Sequence, residues 1–186
     1  QLPQLMAGFG MTHLVGGRGM PKGCETYLRW EGSDGTQVKI CALVHSYNNG
    51  NGLSPLEERK SFAVLGGRIS MPSLPEQLDI ILSEGPRSPT GNLLVMNGVD
   101  HMFPNTAMGA TLEKIRALHP ELTPVQSTFE RYIACVERDL PGEATLVRGE
   151  LRDGRENLVL PASQSMRMDV KCYDRRMEDL LQRRVE

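Results

Sequence analysis

Apolar and polar positions alternate in blocks along the chain, and the blocks predict strands separated by helices. Short apolar or alternating runs bounded by Gly, Pro, Asn or Asp are typical of strands. The predicted strands span residues 11–15, 25–30, 37–44, 92–96 and 123–126. Runs whose apolar residues recur at helical spacing predict helices. The predicted helices span residues 2–7, 56–65, 74–82, 108–118, 128–140 and 168–186.

This order of elements predicts an α/β protein with a parallel sheet and crossover helices. An open sheet and part of a barrel both satisfy the pattern. The turn Gly32-Ser33-Asp34-Gly35 predicts a hairpin between the second and third strands, because Asp and Gly accept the backbone angles of tight turns. The last predicted helix has no strand after it. We therefore divide the chain into an α/β part, residues 1–164, and the start of a helical domain, residues 165–186.

Composition narrows the functional classes. The 186 residues, 39% hydrophobic and 24% charged, are enough for one ordinary core. A net charge of -2 without a basic stretch argues against a nucleic-acid partner. No apolar run approaches the roughly 20 residues that cross a bilayer, so no membrane partner is predicted. The chain starts at Gln1 without an initiator Met or a signal region, and we expect a longer parent protein.

The cysteines predict neither a metal site nor a redox centre within this chain. None of the four belongs to a CxxC pair, and they lie far apart in the sequence: Cys24, Cys41, Cys135 and Cys172. We expect free, mostly buried thiols, which fit a cytoplasmic location.

Candidate chemistry follows three predicted strands. Functional groups of parallel α/β sheets collect on the loops beyond the carboxyl ends of the strands. The residues in these positions that carry useful groups are Arg18, Tyr47, Asn48, Asp100 and His101. We expect all of them at one edge of the sheet.

Residue types alone leave the roles of these side chains open. An apolar strand can place a carboxylate such as Asp100 in a partly dry site, which raises its pKa as a general acid requires. With Gly98 nearby, Asp100 can equally cap a turn. His101 suits a substrate, a metal or a structural hydrogen bond. Arg18 suits a carboxylate ligand or plain solvation. Tyr47 and Asn48 have the composition of a sugar site and equally of an ordinary surface loop.

Several longer runs together resemble a known family. The runs are Leu2-Pro3-Gln4-Leu5-Met6-Ala7-Gly8-Phe9-Gly10-Met11, Gly17-Arg18-Gly19, Trp30-Glu31-Gly32-Ser33-Asp34-Gly35, residues 93–101 and Ser165-Met166-Arg167. The first three runs resemble the middle of the catalytic domain of bacterial glycoside hydrolase family 38 enzymes, the α-mannosidase type, and the last two resemble later parts of the same domain. The match covers nearly the whole chain.

The resemblance implies part of a seven-stranded β/α barrel that leads into the first helix of a helical bundle. It also implies retaining hydrolysis of α-mannosides by an aspartate nucleophile, a carboxylic acid/base and a zinc ion. Asp100 matches the acid/base, Arg18 an arginine beside the nucleophile, and Tyr47 an active-site tyrosine. Asn48 stands where some relatives have an aspartate, and His101 follows the acid/base, so both are assigned to substrate binding by position.

The resemblance places the nucleophile a few residues before Gln1 and the zinc ligands outside this chain. Retaining chemistry needs two carboxylates about 5–5.5 Å apart, so the isolated chain is expected to be inactive and to bind no catalytic zinc. Open sheet edges and apolar helix faces also favour self-association. Two alternatives remain, a mannosylglycerate-type or other glycosidase, and a non-catalytic carbohydrate-binding or structural protein.

Overall fold

The computed structural model describes residues 1–50, 53, 60–64, 67–98, 105–160 and 167–185. Its α-helices are α1 (Leu2–Gly8), α2 (Leu74–Leu82), α3 (Met108–Leu118), α4 (Phe129–Asp139) and α5 (Met168–Leu180). Its strands are β1 (His13–Gly16), β2 (Tyr27–Glu31), β3 (Gln37–Ala42), β4 (Lys60–Val64), β5 (Gly67–Met71) and β6 (Thr145–Arg148). A 3-10 helix, Gly85–Arg87, follows α2, and a π-helical turn, Leu181–Val185, follows α5. The predicted α/β class is confirmed.

Four strands form a mixed sheet in the order β1-β3-β2-β6. β1 runs parallel to β3, and β6 runs parallel to β2, but β2 and β3 are antiparallel. The predicted hairpin causes this reversal: the Asp34 carboxylate accepts a hydrogen bond from Thr36 N at 2.9 Å, and Gly35 has a φ of 85°. The predicted hairpin is therefore confirmed, and it makes the sheet mixed rather than parallel throughout. A seven-stranded barrel stays a prediction.

The sheet is covered on both faces, because successive side chains of a strand point to opposite sides. One face carries Leu28, Trp30 and Ile40, and α1 covers it with Met6. The other face carries Tyr27 and Cys41, and α4 covers it with Tyr132 and Val136. The strands thus lie between two apolar layers that fix their position.

A third apolar cluster joins α2, α3 and segment 92–98. Leu74, Leu78 and Ile81 of α2 pack with Ile115 of α3. Leu93 and Val95 of the segment pack against this cluster. Because α2 and α3 hold it from the side, segment 92–98 has a defined position without belonging to the described ladders.

Most predicted helices are confirmed, with small changes at their ends. Helix α2 begins where the sequence predicts, after Ser73, whose backbone N donates to the Glu76 carboxylate at 2.8 Å. Helix α4 begins after Thr128, whose hydroxyl accepts from Arg131 N at 3.4 Å and so caps the helix. The last helix changes to the π-helical turn after Leu180.

Other predictions were wrong. Residues 60–64, within the predicted helix 56–65, form β4, which pairs with β5 in an antiparallel hairpin. The following Gly66 and Gly67 disfavour a helix. Residues 92–96 and 123–126 join none of the described ladders, and β6 was not predicted.

Helix α5 exposes its apolar residues. Those with large exposed side chains in α5 and the turn after it are Met168, Val170, Tyr173, Met177, Leu180 and Leu181. No helix in the described parts of the chain is long and apolar enough to cross a membrane. All four cysteines are free as predicted, but only Cys41 is fully buried, and Cys172 is exposed on α5. The expectation of mostly buried thiols was therefore wrong.

Candidate functional site

The loops after β1 and β3 leave the sheet at the same edge, because these strands are parallel neighbours. We call this side the loop edge. Leu43 N donates to Gly16 O at 2.8 Å, which extends the pairing to the strand ends. An ideal Cβ on Gly17 would lie 3.7 Å from Tyr47 N. The loop that carries Arg18 therefore contacts the loop that carries Tyr47 and Asn48.

Arg18 is exposed at the loop edge, where its Nη1 donates to Leu158 O at 3.2 Å. The next residue, Gly19, has a φ of 79° and pairs with Asp153 in an isolated antiparallel bridge. A Cβ on Gly19 would lie only 2.2 Å from Leu151 O, so only glycine fits here. Segment 151–158 thus lies directly against the loop of Arg18.

Tyr47 and Asn48 lie on the next turn of the loop edge. The Tyr47 side chain is 39% exposed, and Asn48 is exposed as well. The preceding residue, Ser46, has a φ of 75°, which is unusual for a residue other than glycine. This arrangement leaves an aromatic ring and an amide accessible, which are the groups that a sugar ring and its hydroxyls would contact.

Asn49, only 3% exposed, joins this turn to segment 92–98. Its Nδ2 donates to Leu94 O at 2.9 Å, and its Oδ1 accepts from Met96 N at 2.7 Å. Gly50 N also donates to Met96 O at 2.9 Å. A Cβ on Gly50 would lie 2.6 Å from that same oxygen, so the two segments approach as closely as their backbones allow.

Helix α2 and the residues that follow it support Asn49 from behind. Gln77 Nε2 donates to Asn49 O, and Asn49 Nδ2 lies 3.4 Å from Glu84 Oε1. Glu84 is 2% exposed, and burial raises its pKa to about 6, although the Asn49 amide opposes the shift. A carboxyl group whose pKa is raised by burial therefore contacts Asn49, which in turn binds segment 92–98.

Asp100 and His101 follow segment 92–98 but lie outside the described residues. Met96 precedes Asp100 by four residues, a chain length of at most about 14 Å. Segment 92–98 thus leads from the loop edge toward both positions. Their predicted roles stay predictions.

Segment 151–158 also packs against the loop edge, and ionic and polar contacts hold it there. Glu156 accepts from Gly23 N and from Arg87 Nη2, both at 2.9 Å. Burial raises the pKa of Glu156, but the hydrogen bonds from Arg87 and Gly23 outweigh it and lower the pKa overall. Asn157 Nδ2 donates to Val44 O at 3.1 Å. The sequence interpretation missed this segment, although Gly19 signals a close backbone approach.

His45 lies on the loop that follows β3. Its Nε2 lies 3.1 Å from Ser83 Oγ after α2. Burial and the neighbouring Arg87 guanidinium lower the pKa of His45 below the usual histidine range. A neutral imidazole at the loop edge is a hydrogen-bonding group that the sequence interpretation did not single out.

Another polar cluster lies on the α4 face of the sheet. Glu137 Oε1 accepts from Tyr27 OH at 3.2 Å, lies 3.2 Å from His13 Nε2, and forms an ion pair with Lys39. The Lys39 ammonium, followed by His13 and Tyr27, lowers the pKa of Glu137. The cluster borders a shallow, open cleft of about 430 Å³. Its charges are already paired, so it stabilises the contact between α4 and the sheet.

A zinc ion needs three or four converging His, Cys, Asp or Glu side chains. No such group of three or more is present among the residues that the structure describes. These residues therefore do not form a zinc site by themselves, and we assign them no chemistry that depends on the metal.

Comparisons with known proteins find similarity to proteins named as carbohydrate hydrolases. No protein-family model matches the chain. Over 200 aligned positions the chain is 30% identical to a Halalkalibacterium halodurans protein named "Putative mannosylglycerate hydrolase". The alignment covers 97% of this chain and 20% of that protein. The chain thus spans about a fifth of the length of the curated relative that it matches.

A solved structure shows the same likeness. The chain matches an alpha-mannosidase from Enterococcus faecalis V583 with a TM-score of 0.67 and 27% sequence identity. The match covers 81% of this chain and 16% of that chain. In sequence and in its α/β fold, the chain is similar to one segment of a mannosidase-type glycoside hydrolase.

Proposed function

We infer that the parent protein is a retaining α-mannosidase of the glycoside hydrolase family 38 type, and that this chain forms part of its catalytic domain. The observation that carries the proposal is the convergence at the loop edge. Arg18 and Tyr47 lie on contacting loops. Segment 92–98, which leads to Asp100, is hydrogen-bonded to Asn49, the residue after Asn48. The similarity over nearly the whole chain to two enzymes named for mannosides supports it.

In the proposed reaction, the carboxyl group of Asp100 protonates the glycosidic oxygen and then, as a carboxylate, activates water. Tyr47 and Asn48 contact the sugar, His101 lies beside the acid/base, and Arg18 orients the nucleophile. Zinc, held by residues outside this chain, would bind mannose hydroxyls and supply positive charge. Because the resemblance also places the nucleophile outside this chain, the isolated chain is inactive in this proposal.

Replacing Asp100 by Asn in the full-length protein tests the assignment. We expect kcat/KM for an alkyl α-mannoside to fall by about 100-fold or more, since a general acid contributes 10²–10⁴-fold. An aryl α-mannoside with an activated leaving group needs no protonation, so its kcat/KM should fall far less. Because kcat/KM reports the steps up to the glycosyl-enzyme, the comparison isolates the acid role.

The control for this test is Asp79→Asn, which changes an exposed aspartate on α2 and should leave both kcat/KM values unchanged. Near-normal hydrolysis of the alkyl mannoside by the Asp100→Asn protein would remove the assignment. Sugar binding by the parental protein without any hydrolysis would favour a carbohydrate-binding protein instead.

A mannosylglycerate hydrolase is the second candidate, which the name of the Halalkalibacterium relative favours. Mannosylglycerate carries a carboxylate, and the exposed Arg18 guanidinium lies at the loop edge. Comparing kcat/KM for mannosylglycerate and for methyl α-mannoside separates the two. A preference of tenfold or more for the charged substrate, about 1.4 kcal/mol, would select the second candidate.

A further inference from the structure

Residues 94–96 lack a strand neighbour in the described sheets, but the side chain of Asn49 supplies the missing contacts. In a parallel ladder, one residue donates to the carbonyl before its partner and accepts from the amide after it. Asn49 Nδ2 donates to Leu94 O, and Asn49 Oδ1 accepts from Met96 N. The primary amide thus takes the place of a backbone peptide on both sides of Val95.

The position of this amide is fixed by groups on either side. Gln77 Nε2 holds the Asn49 carbonyl, and Glu84 Oε1 faces the same Nδ2 that binds Leu94 O. An acceptor beside Nδ2 decides which end of the amide carries the nitrogen, because the reversed amide would place two oxygens against each other. Gly50, which has no room for a Cβ, brings the backbone into contact with Met96.

We propose that Asn49 is a positioning residue for the acid/base: its side chain fixes the backbone of residues 94–96 and thereby the direction in which the chain continues to Asp100. This inference rests on the proposed function of Asp100. Asn49 itself is buried and touches no substrate, so it acts only through the backbone that it holds. A misplacement of about 1 Å in a catalytic group costs about 100-fold in rate, and a lost backbone clamp permits such a shift.

The test uses the full-length protein with Asn49→Ala and the milder Asn49→Ser, which retains a shorter polar side chain at this position. We measure kcat/KM for methyl α-mannoside and for an aryl α-mannoside with an activated leaving group. Asn49→Ala should lower the value for the alkyl substrate by about 100-fold and the value for the activated substrate by less than about threefold, because only the first needs a placed acid. Asn49→Ser should show the same selectivity with a smaller loss.

The matched control is Asn92→Ala. Asn92 lies in the same segment, and its amide donates to two side chains, Thr90 Oγ1 at 3.1 Å and Asp139 Oδ2 at 3.0 Å. It holds the start of the segment rather than residues 94–96, so the ratio of the two kcat/KM values should stay unchanged.

The outcomes separate the inference from the proposed function. Equal losses on both substrates would mean that Asn49 is merely structural and would overturn the inference, as would unchanged values. If Asn49→Ala does not fold, Asn49→Ser decides by the same criteria. If Asp100→Asn is selective for the alkyl substrate and the Asn49 variants are not, the inference alone fails. If Asp100→Asn is not selective, the proposed function fails.

Discussion

Two segments pack against the loop edge of the same sheet, and different kinds of interaction hold them in place. Segment 151–158 meets the loop of Arg18 at Gly19, and charged groups, chiefly Glu156 with Arg87, hold it. Segment 92–98 meets the next loop at Gly50, and the buried amide of Asn49 holds it. Both contacts need a glycine, but only the first depends mainly on net charges.

This difference has a physical reason in burial. Arg87 and Glu156 keep 20% and 18% of their side chains exposed, so water still screens their charges. Asn49 is 3% exposed, where an ion pair would lose its hydration at high cost. A neutral amide satisfies buried backbone groups without that cost. We therefore expect the first contact to respond to salt, and the second to respond to loss of shape or of a hydrogen bond.

The largest effect should come from the two glycines. Gly19→Ala adds a Cβ 2.2 Å from a carbonyl oxygen at a φ of 79°, and we expect it to lower the free energy of unfolding by about 3 kcal/mol or more. Gly50→Ala meets a carbonyl at 2.6 Å without a positive φ and should cost about 2 kcal/mol. Urea unfolding followed by circular dichroism measures both.

Gly23→Ala is the control for this pair. Gly23 has a φ of 74° but nothing within 4 Å of its Cβ position, so only the backbone cost of about 1 kcal/mol is expected. Equal losses at Gly19 and Gly23 would show that segment 151–158 does not press on the Arg18 loop.

A middle-sized effect is expected from Glu84, through pH. Its pKa is raised from 4.5 to about 6, so the folded state binds this proton more tightly than the unfolded state. Stability due to this group is present at low pH and is lost as pH rises from about 4.5 to about 6. The difference in unfolding free energy between Glu84→Gln and the parental chain should therefore grow by about 2 kcal/mol from pH 4 to pH 7.

Urea unfolding at a series of pH values measures this growth. Glu121→Gln provides the control, because the pKa of this exposed carboxylate is lowered by its own backbone N–H and by His119. The difference in unfolding free energy between Glu121→Gln and the parental chain should change with pH in the opposite direction, and by less than the difference for Glu84→Gln. A flat profile for Glu84→Gln would mean that Glu84 is not buried beside Asn49.

The smallest effect should come from the charged contact. Glu156→Gln should lower the free energy of unfolding by about 1 kcal/mol at low salt, the upper end for a partly exposed ion pair. Because the pKa of Glu156 is lowered in the folded state, its contribution is present above its ordinary pKa and lost as pH falls. In 1 M NaCl the Debye length falls to about 3 Å, so the loss of unfolding free energy in Glu156→Gln should be smaller.

Glu150→Gln is the matched control, since Glu150 lies beside the same segment and pairs with Arg152 at the surface, where 72% of its side chain is exposed. It should give no resolvable change at either salt concentration. An effect of Glu156→Gln that is the same at both salt concentrations would contradict the assignment of this contact to ion pairing.

Elements with strong local signals were predicted correctly. Asp34 and Gly35 determine the β2–β3 hairpin within four residues, and Ser73, Pro75 and Glu76 determine the start of α2. The common edge for the loops of Arg18 and Tyr47 followed from parallel strands. It holds because β1 and β3 are parallel, although the sheet as a whole is mixed.

Features that depend on distant partners were not predicted. Residues 92–96 have the composition of a strand, but a side chain, Asn49, takes up the backbone groups that a neighbouring strand would bind. β6 has only four residues, and its place is determined by pairing with β2. The supporting roles of Glu84 and Glu156 arise from contacts across 35 and 69 residues, for which local pattern gives no signal.

The four strands of the mixed sheet become available for pairing at different times during synthesis. The strands β1, β2 and β3 are complete once residue 42 has been made, but β6 begins at residue 145. Chains are made at about 5–20 residues per second. The edge of β2 that pairs with β6 therefore stays unpaired for roughly 5–20 s during synthesis. Unpaired strand edges recruit other nascent chains, and edge charges oppose this. Arg29 and Glu31, which bind Glu143 and Arg148 once β6 has paired, are charged residues of this edge, and we expect them to oppose such association.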